Sequence, residues 1–417
     1  MERIVLAYSG GLDTTVAVRW LREARGFEVI TLTVDLGSQP EMEAIRARAL
    51  AAGAIEAFVV DARAEFVERY CWPALQAGAL YQGQYPLATA LGRPLIAQHL
   101  VAAAERVGAG WIAHGSTGKG NDQVRFDVAT GALKPDLKVL APLRDGMNMT
   151  REEEIAYAQA HGLPVEVTVE SPYSVDENLW GRSIEAGLLE DPGQAPPEEA
   201  FLWTSSIDAA PATPLTIALD FESGVPVALD GSPADPITLL DRLNRLGGAH
   251  GVGRVDMIED RVVGIKSREL YEAPGAIILH LAHRALEELV LSAEAARFKA
   301  IVAQEYARLV YEGKWFASHR LDLDAYVRHT QRFCGGHVEV VLHRGSARIS
   351  SRSAPASLYR PLLATYSAGD EFDREAAAGF IKLFGLPIRT QAQVQGLEST
   401  DSQWPTPHPP TSATAPA

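Results

Sequence analysis

Ile4-Val5-Leu6-Ala7-Tyr8-Ser9-Gly10-Gly11-Leu12-Asp13-Thr14-Thr15, near the start of the chain, decides how its first part folds. Ile4–Ala7 is an apolar run of the length expected of a buried parallel strand. Beyond the glycines, Val16, Ala17, Trp20, Leu21 and Ala24 recur at helical spacing. Asp13 or Thr14 stands where a cap would start that helix. The stretch is therefore a strand-to-helix turn rich in glycine and hydroxyls. Gly10 and Gly11 let the backbone approach a ligand and turn its N–H groups outward. The helix N-terminus adds partial positive charge, and Ser9, Thr14 and Thr15 can donate to phosphate oxygens. A bare Gly-Gly is also a tight-turn signal, but its place in the first strand–helix unit favours an anion site. It lacks the Gly-Lys-Ser/Thr ending of a Walker loop and the G-x-G-x-x-G of a dinucleotide site.

Working outward, residues 1–165 alternate strand and helix. Val29–Val34, Ala54–Val60, Trp111–Ala113 and Val139–Leu143 are predicted strands. Pro40–Ala52 and Pro94–Val107 are predicted helices, and Thr150-Arg151-Glu152-Glu153 is a capping box opening a helix to about Ala160. This grammar predicts a parallel, doubly wound sheet with ligands at the carboxyl ends of its strands. The loops Ser9–Thr15, Asp35-Leu36-Gly37 and Gly115–Asp122 all fall at such ends. Residues 171–192 show no periodicity, and 193–214 read as a surface excursion. From 215 onward hairpins are expected around Glu222-Ser223-Gly224 and Arg344-Gly345, with helical patterns at 237–247 and 276–311. A second, α+β domain is thus expected, then an amphipathic helix at Arg374–Phe384 that could pack on another subunit. The Pro/Ser/Thr/Ala-rich tail, 391–417, is expected to be disordered.

The chain of 417 residues can hold several cores, and 47% hydrophobic with 22% charged residues is ordinary for a globular protein. A net charge of −15 argues against nucleic-acid or anionic-membrane partners. Cys71 and Cys334 form neither a metal motif nor a disulfide framework, which fits a reducing cytoplasm. The N-terminus enters a core strand directly, so neither a signal peptide nor a membrane span is expected.

Ser9–Thr14 resembles the PP-loop of ATP pyrophosphatases, which cut ATP between the α and β phosphates. More of the chain resembles one family in that group. Ala7–Thr14, Gly118-Lys119-Gly120-Asn121-Asp122-Gln123-Val124-Arg125-Phe126, Ser171-Pro172-Tyr173-Ser174, Leu189-Glu190-Asp191-Pro192, Gly251-Val252-Gly253-Arg254 and Lys266-Ser267-Arg268 are similar to argininosuccinate synthase. The similarity runs from Met1 to about residue 390. It implies a Rossmann-like nucleotide-binding domain (1–168), an α+β synthetase and multimerisation domain (169–364), an oligomerisation helix (365–390) and the tail (391–417). It implies a cytoplasmic homotetramer in arginine biosynthesis that condenses L-citrulline and L-aspartate, using ATP and Mg²⁺, through a citrullyl-adenylate.

By the same resemblance ATP is held by Ala7, Tyr8, Ser9, Gly10, Gly11, Leu12, Asp13, Thr14, Thr15, Val34 and Gly115. Asp13 serves there as the helix cap, with Mg²⁺ contact as the alternative. Aspartate falls to Thr117, Asn121 and Asp122. Citrulline falls to Tyr85, Ala90, Asn121, Arg125, Ser174, Ser183, Glu259 and Tyr271. No residue is assigned a covalent or acid–base role and none a metal-only role. The family usually has serine at Ala90 and alanine at Gly92, so one citrulline contact is expected to be weakened. Another PP-loop ligase, such as an amidotransferase-type synthetase or a tRNA-thiolating enzyme, is the competing enzyme reading. A nucleotide or amino-acid sensor is the non-enzymatic one.

Overall fold

Strand β1 (Arg3–Ala7) is the centre of the first sheet, with Ile4, Val5 and Leu6 fully buried. It pairs in parallel with β2 (Glu28–Asp35) on one side and β4 (Trp111–Ala113) on the other. β3 (Glu56–Asp61) lies outside β2 and β5 (Lys138–Leu140) outside β4, giving the order β3-β2-β1-β4-β5. The strand order reverses between β1 and β4, where open α/β sheets form their ligand crevice. The computed structural model describes residues 1–37, 41–164 and 173–396.

The helix after β1, α1 (Leu12–Arg25), is capped differently from expectation: Gly11 is the N-cap and no side chain caps it. Asp13 and Thr14 already lie inside its first turn, so neither can cap it. The capping box at Thr150 forms as read: Glu153 N–H donates to Thr150 Oγ1 and Thr150 N–H to the Glu153 carboxylate. The helix expected from Pro94 begins at Ala88 and carries Pro94 in its first two turns. The last expected strand ends at Leu140, because Pro142 opens a short helical turn.

The second half holds two antiparallel sheets. One has the order β10-β9-β8-β13-β14, built from β8 (Leu215–Glu222), β9 (Val225–Leu229), β10 (Ser232–Pro233), β13 (Gly336–His343) and β14 (Ser346–Ser353). Both expected hairpins lie in it. The other, β11-β12-β7-β6, was not legible as strands. It contains β6 (Ser174–Asn178), β7 (Gly181–Glu185), β11 (Arg254–Asp260) and β12 (Lys266–Glu272). The aperiodic stretch 171–192 thus holds a hairpin. The helical pattern at 276–311 resolves into Pro274–Val290 and Ala293–Tyr311, the second capped by Ser292.

The excursion 193–214 is tied to the body at several points, among them Arg254 on Glu198 and Thr204, and most densely at Glu272. Glu272, with no exposed surface, accepts from the N–H groups of Leu202, Trp203 and Thr204, from Thr204 Oγ1 and from Arg182 Nη1. Those donors supply what a buried carboxylate needs.

Met1–Leu358 forms one unit and Tyr359–Ala417 another. Within the second, the helices Arg374–Phe384 and Leu386–Gln395 bury no residue. Helix therefore continues past residue 390, where the sequence reading begins a disordered tail. The rest of that tail, 397–417, lies outside the described residues, as do Ser38-Gln39 and Ser171-Pro172.

Candidate active site

A cavity of about 730 Å³ opens at the carboxyl ends of β1, β2 and β4 and extends to the β11-β12-β7-β6 sheet. Its first end is the loop after β1. Gly10, not Gly11, takes the left-handed conformation, with φ +81°. Gly11 is extended, with φ −77° and ψ 177°. Arg48 Nη1 donates to the Gly10 carbonyl at 2.6 Å, clamping the turn from α2 (Met42–Ala52). Thr15 Oγ1 donates to the Gly11 carbonyl at 2.7 Å, so the Tyr8 hydroxyl donates to Thr15 at 2.9 Å. Ser9 Oγ and Thr14 Oγ1 lie 3.1 Å apart.

The loop after β4 closes on the first one. A Cβ at Gly115 would come within 2.9 Å of Thr14 Cγ2, so glycine permits this approach. Beneath it His114 is fully buried and bonds Asp127 at 2.9 Å, which also accepts from Arg144.

The structure brings most of the expected residues to this one cavity. Ala7, Tyr8, Ser9, Gly11, Leu12, Asp13, Thr14, Val34 and Gly115 line the first end. Thr117, Asn121, Asp122, Tyr85, Arg125, Ser174, Ser183, Glu259 and Tyr271 line the remainder. Gly10, Thr15 and Ala90 do not. Gly10 shapes the turn and Thr15 spends its hydroxyl inside it. Ala90 is fully buried, whereas its neighbour Thr89 lines the cavity, with Oγ1 3.4 Å from Ser183 Oγ. At Gly92 a Cβ would meet Leu36 Cδ1 at 2.9 Å.

Sheet register explains the second end. Asp176 pairs with Ser183 and Ser183 with Tyr271, while Ser174 pairs with Glu185 and Glu259 with Ser267. With a period of two, Ser174, Asp176, Ser183, Glu185, Glu259, Glu269 and Tyr271 share one face. Ile184 and Leu270 occupy the other, packed with Leu189 and Ala200. Tyr85 stacks on Tyr271 with ring centroids 3.9 Å apart. Glu259 accepts from Tyr271 Oη at 2.7 Å and from Tyr311 Oη at 2.7 Å.

Between the two ends lies a charge network that sequence reasoning missed. Arg93 donates to Asp122 Oδ2 at 2.7 and 2.9 Å and also to Asp176. Arg125 donates to Asp122 Oδ1 at 2.9 Å. Burial opposes ionisation of Asp122, but the two guanidiniums outweigh it and hold its carboxyl down at about 2. Burial raises Asp176 above the usual carboxylate range, against the pull of Arg93. Arg261 pairs with Glu185 and, at 2.7 Å, with Glu269. Burial beside Glu185 and Glu259 pushes Glu269 up. No sequence signal marked either residue: Asp176 lies in a stretch without strand periodicity, and Arg93 lies before the point where the sequence suggests its helix begins.

Asp13 faces the first end without a capping role. Glu154, only 3% exposed, lies beside it, and burial plus the Asp13 carboxylate raise the Glu154 carboxyl well above its ordinary range. Among the described residues no three His, Cys, Asp or Glu side chains converge as a metal cage.

A family model described as the arginosuccinate synthase N-terminal HUP domain matches residues 3–164, and one for the arginosuccinate synthase C-terminal domain matches 173–391. The chain belongs to the argininosuccinate synthase family. The argininosuccinate synthase of Rubrobacter xylanophilus is 56% identical over 94% of this chain and 96% of its own. That of Thermosynechococcus vestitus is 54% identical over 94% and 98%. That of Dehalococcoides mccartyi is 51% identical over 94% and 97%. A solved structure of the U34-tRNA thiolase NcsA from Methanococcus maripaludis matches at 16% identity, with a TM-score of 0.26 over 42% of this chain and 60% of that one. That likeness carries no argument. As a member of the argininosuccinate synthase family the chain is an enzyme, a ligase that forms a C–N bond. Among the described residues no helix is long and apolar enough to cross a membrane.

Proposed function

We propose that the cavity condenses L-citrulline with L-aspartate, consuming ATP and releasing argininosuccinate, AMP and pyrophosphate through a citrullyl-adenylate. The observation that supports this most is one cavity with two chemically different ends. At one end, hydroxyls and a helix N-terminus suit phosphate oxygens. At the other, Arg125 and Glu259 offer opposite charges suited to the carboxylate and ammonium of an amino acid.

The ureido oxygen attacks the α-phosphate, and the bond to pyrophosphate breaks. Ser9, Thr14 and the N–H groups around Gly11 stabilise the departing charge. The aspartate amine then attacks the ureido carbon and AMP leaves. Thr117, Asn121 and Asp122 hold the aspartate, with Asp122 kept ionised by Arg93 and Arg125. Val34 and Gly115 accommodate the nucleoside. Tyr85, Asn121, Arg125, Ser174, Ser183, Glu259 and Tyr271 hold citrulline, and Thr89 offers the hydroxyl that Ala90 lacks. Mg²⁺ is commonly bound by one or two carboxylates plus substrate phosphates rather than by a protein cage. Asp13, at the phosphate end, fits that pattern, and the ion would neutralise pyrophosphate charge.

The domain boundaries we infer are 1–168, 169–364, 365–390 and 391–417. The exposed apolar side chains of Phe380, Leu383, Phe384 and Ile388 support docking of the C-terminal helices on another copy, as in a homotetramer. A cytoplasmic location and a role in arginine biosynthesis follow from the same reading.

The test is citrulline carrying ¹⁸O in its ureido group. Labelled AMP and unlabelled pyrophosphate, formed only when citrulline is present, are expected. Unlabelled AMP, or ADP with labelled phosphate, would overturn the adenylate mechanism.

A further inference from the structure

Tyr311 is the last residue of the helix Ala293–Tyr311, 1% exposed, and not part of the cavity wall. Three wall residues nevertheless converge on it. Its hydroxyl lies 2.7 Å from Glu259 Oε1 and 2.8 Å from Asn121 Nδ2. Its backbone carbonyl accepts from Arg125 Nε at 3.0 Å, and the Arg125 guanidinium carbon sits 4.9 Å from its ring centroid.

The hydrogen count fixes the direction of each bond. A carboxylate only accepts, so the single phenolic hydrogen goes to Glu259. The same oxygen then accepts from the Asn121 amide. Asn121 Oδ1 in turn accepts from Val262 N–H at 2.8 Å, so its amide cannot flip without losing both bonds. Tyr271 donates to the other Glu259 oxygen at 2.7 Å, leaving that carboxylate held at both atoms. The ring itself is immobilised against Tyr81, with centroids 3.5 Å apart and planes 3° from parallel. Just beyond it, Gly313 has φ +78°, and a Cβ there would lie 2.6 Å from Arg125 Cα. Only glycine lets the chain pass so close to Arg125 after leaving Tyr311.

We propose that Tyr311 is a positioning residue for the amino-acid end of the site, its hydroxyl setting Glu259 and Asn121 and its carbonyl and ring setting Arg125. This rests on the citrulline reading of that end. Tyr311 touches no substrate. It fixes the relative placement of a carboxylate, an amide and a guanidinium that come from three different elements, which is what discrimination of an α-amino acid by both its charges requires.

Tyr311→Phe keeps the ring, its stack and the carbonyl and removes one oxygen. Steady-state kinetics should show the citrulline KM rising by about tenfold or more, as expected for loss of a hydrogen bond to a charged group. The KM for ATP should stay within about twofold, because the phosphate end shares no bond with Tyr311. In a Glu259→Gln background, where the ammonium-binding charge is already gone, adding Tyr311→Phe should raise the citrulline KM by less than about twofold further. An unchanged citrulline KM, an equal rise for ATP, or full additivity with Glu259→Gln each overturns the proposal. So does a Tyr311→Phe protein that fails to fold, since the hydroxyl would then be serving the core. Wild-type enzyme that releases no pyrophosphate with citrulline would overturn the substrate reading itself, an outcome visible before any variant is made.

Discussion

The two ends of the cavity are built in opposite ways. The end we assign to phosphate is nearly one stretch of chain: Ala7 to Thr14, with Gly115 pressed against it. Its internal bonds span few residues, such as Thr15 to Gly11 and Ser9 to Thr14. The end we assign to the amino acid draws Tyr85, Asn121, Arg125, Ser183, Glu259 and Tyr271 from elements far apart in sequence. Its bonds, such as Asn121 to Tyr311 and Val262 to Asn121, cross large sequence separations. The first end can therefore survive modest loss of tertiary order that the second cannot.

Glu272→Gln should have the largest effect. It removes the fully buried charge partner of the Arg182 guanidinium, 5% exposed, leaving only the longer contact to Glu177 at 3.6 Å, and weakens five bonds to the neighbouring strand and excursion. A stability loss of about 3–5 kcal/mol is expected from breaking such a buried pair. Thermal melting measures it, and near the midpoint citrulline affinity should fail before ATP affinity. Simultaneous loss of both would erase the contrast.

Gly10→Ala addresses the local end. At φ +81° an L-residue is strained by about 1–2 kcal/mol, and its Cβ would press on Ile45 at 3.2 Å. The ATP KM should rise with the citrulline KM nearly unchanged. A citrulline effect as large as the ATP effect would show the two ends to be coupled.

Ala90→Ser buries a hydroxyl in the apolar cluster around Leu91 and Leu95, at a cost of about 1 kcal/mol. It should leave the citrulline KM where it is, because Ala90 does not reach the cavity, whereas Thr89→Ala should raise it. Tighter citrulline binding by Ala90→Ser would bring that residue back into the site.

Glu154→Gln should have the smallest effect, visible only through pH. Its folded-state carboxyl is raised, so the folded protein binds a proton that the unfolded chain releases. Wild-type stability conferred by that proton is present below the unfolded pKa and is lost as pH rises toward the folded one. The glutamine imitates the protonated form. Its melting temperature should match wild type in acid, exceed it by a margin that grows as pH rises through the range between the ordinary glutamate value and about 8, and keep a constant margin above that. A pH-independent difference would separate Glu154 from Asp13.

Sequence alone determined what local chemistry determines. Apolar runs of strand length, helical spacing, the Thr150 capping box and the glycine-rich turn each act over a few residues, so the parallel sheet and the turn between its first strand and helix could be read directly. Even there, only the backbone decided that Gly10 and not Gly11 is left-handed, and that Gly11 caps α1 in place of Asp13. The family resemblance pointed to Glu259, Ser183 and Tyr271, but nothing in the spacing of 174–185 or 254–272 announced strands. Their alternation mixes charged and apolar residues on both faces, because one face lines a polar cavity and the other buries the Arg182–Glu272 pair beside Ile184 and Leu270. Tyr311 carried no signal at all. A tyrosine at a helix end becomes informative only when packing sets its hydroxyl between Glu259 and Asn121, since a hydrogen bond of that kind depends on distances the chain acquires by folding.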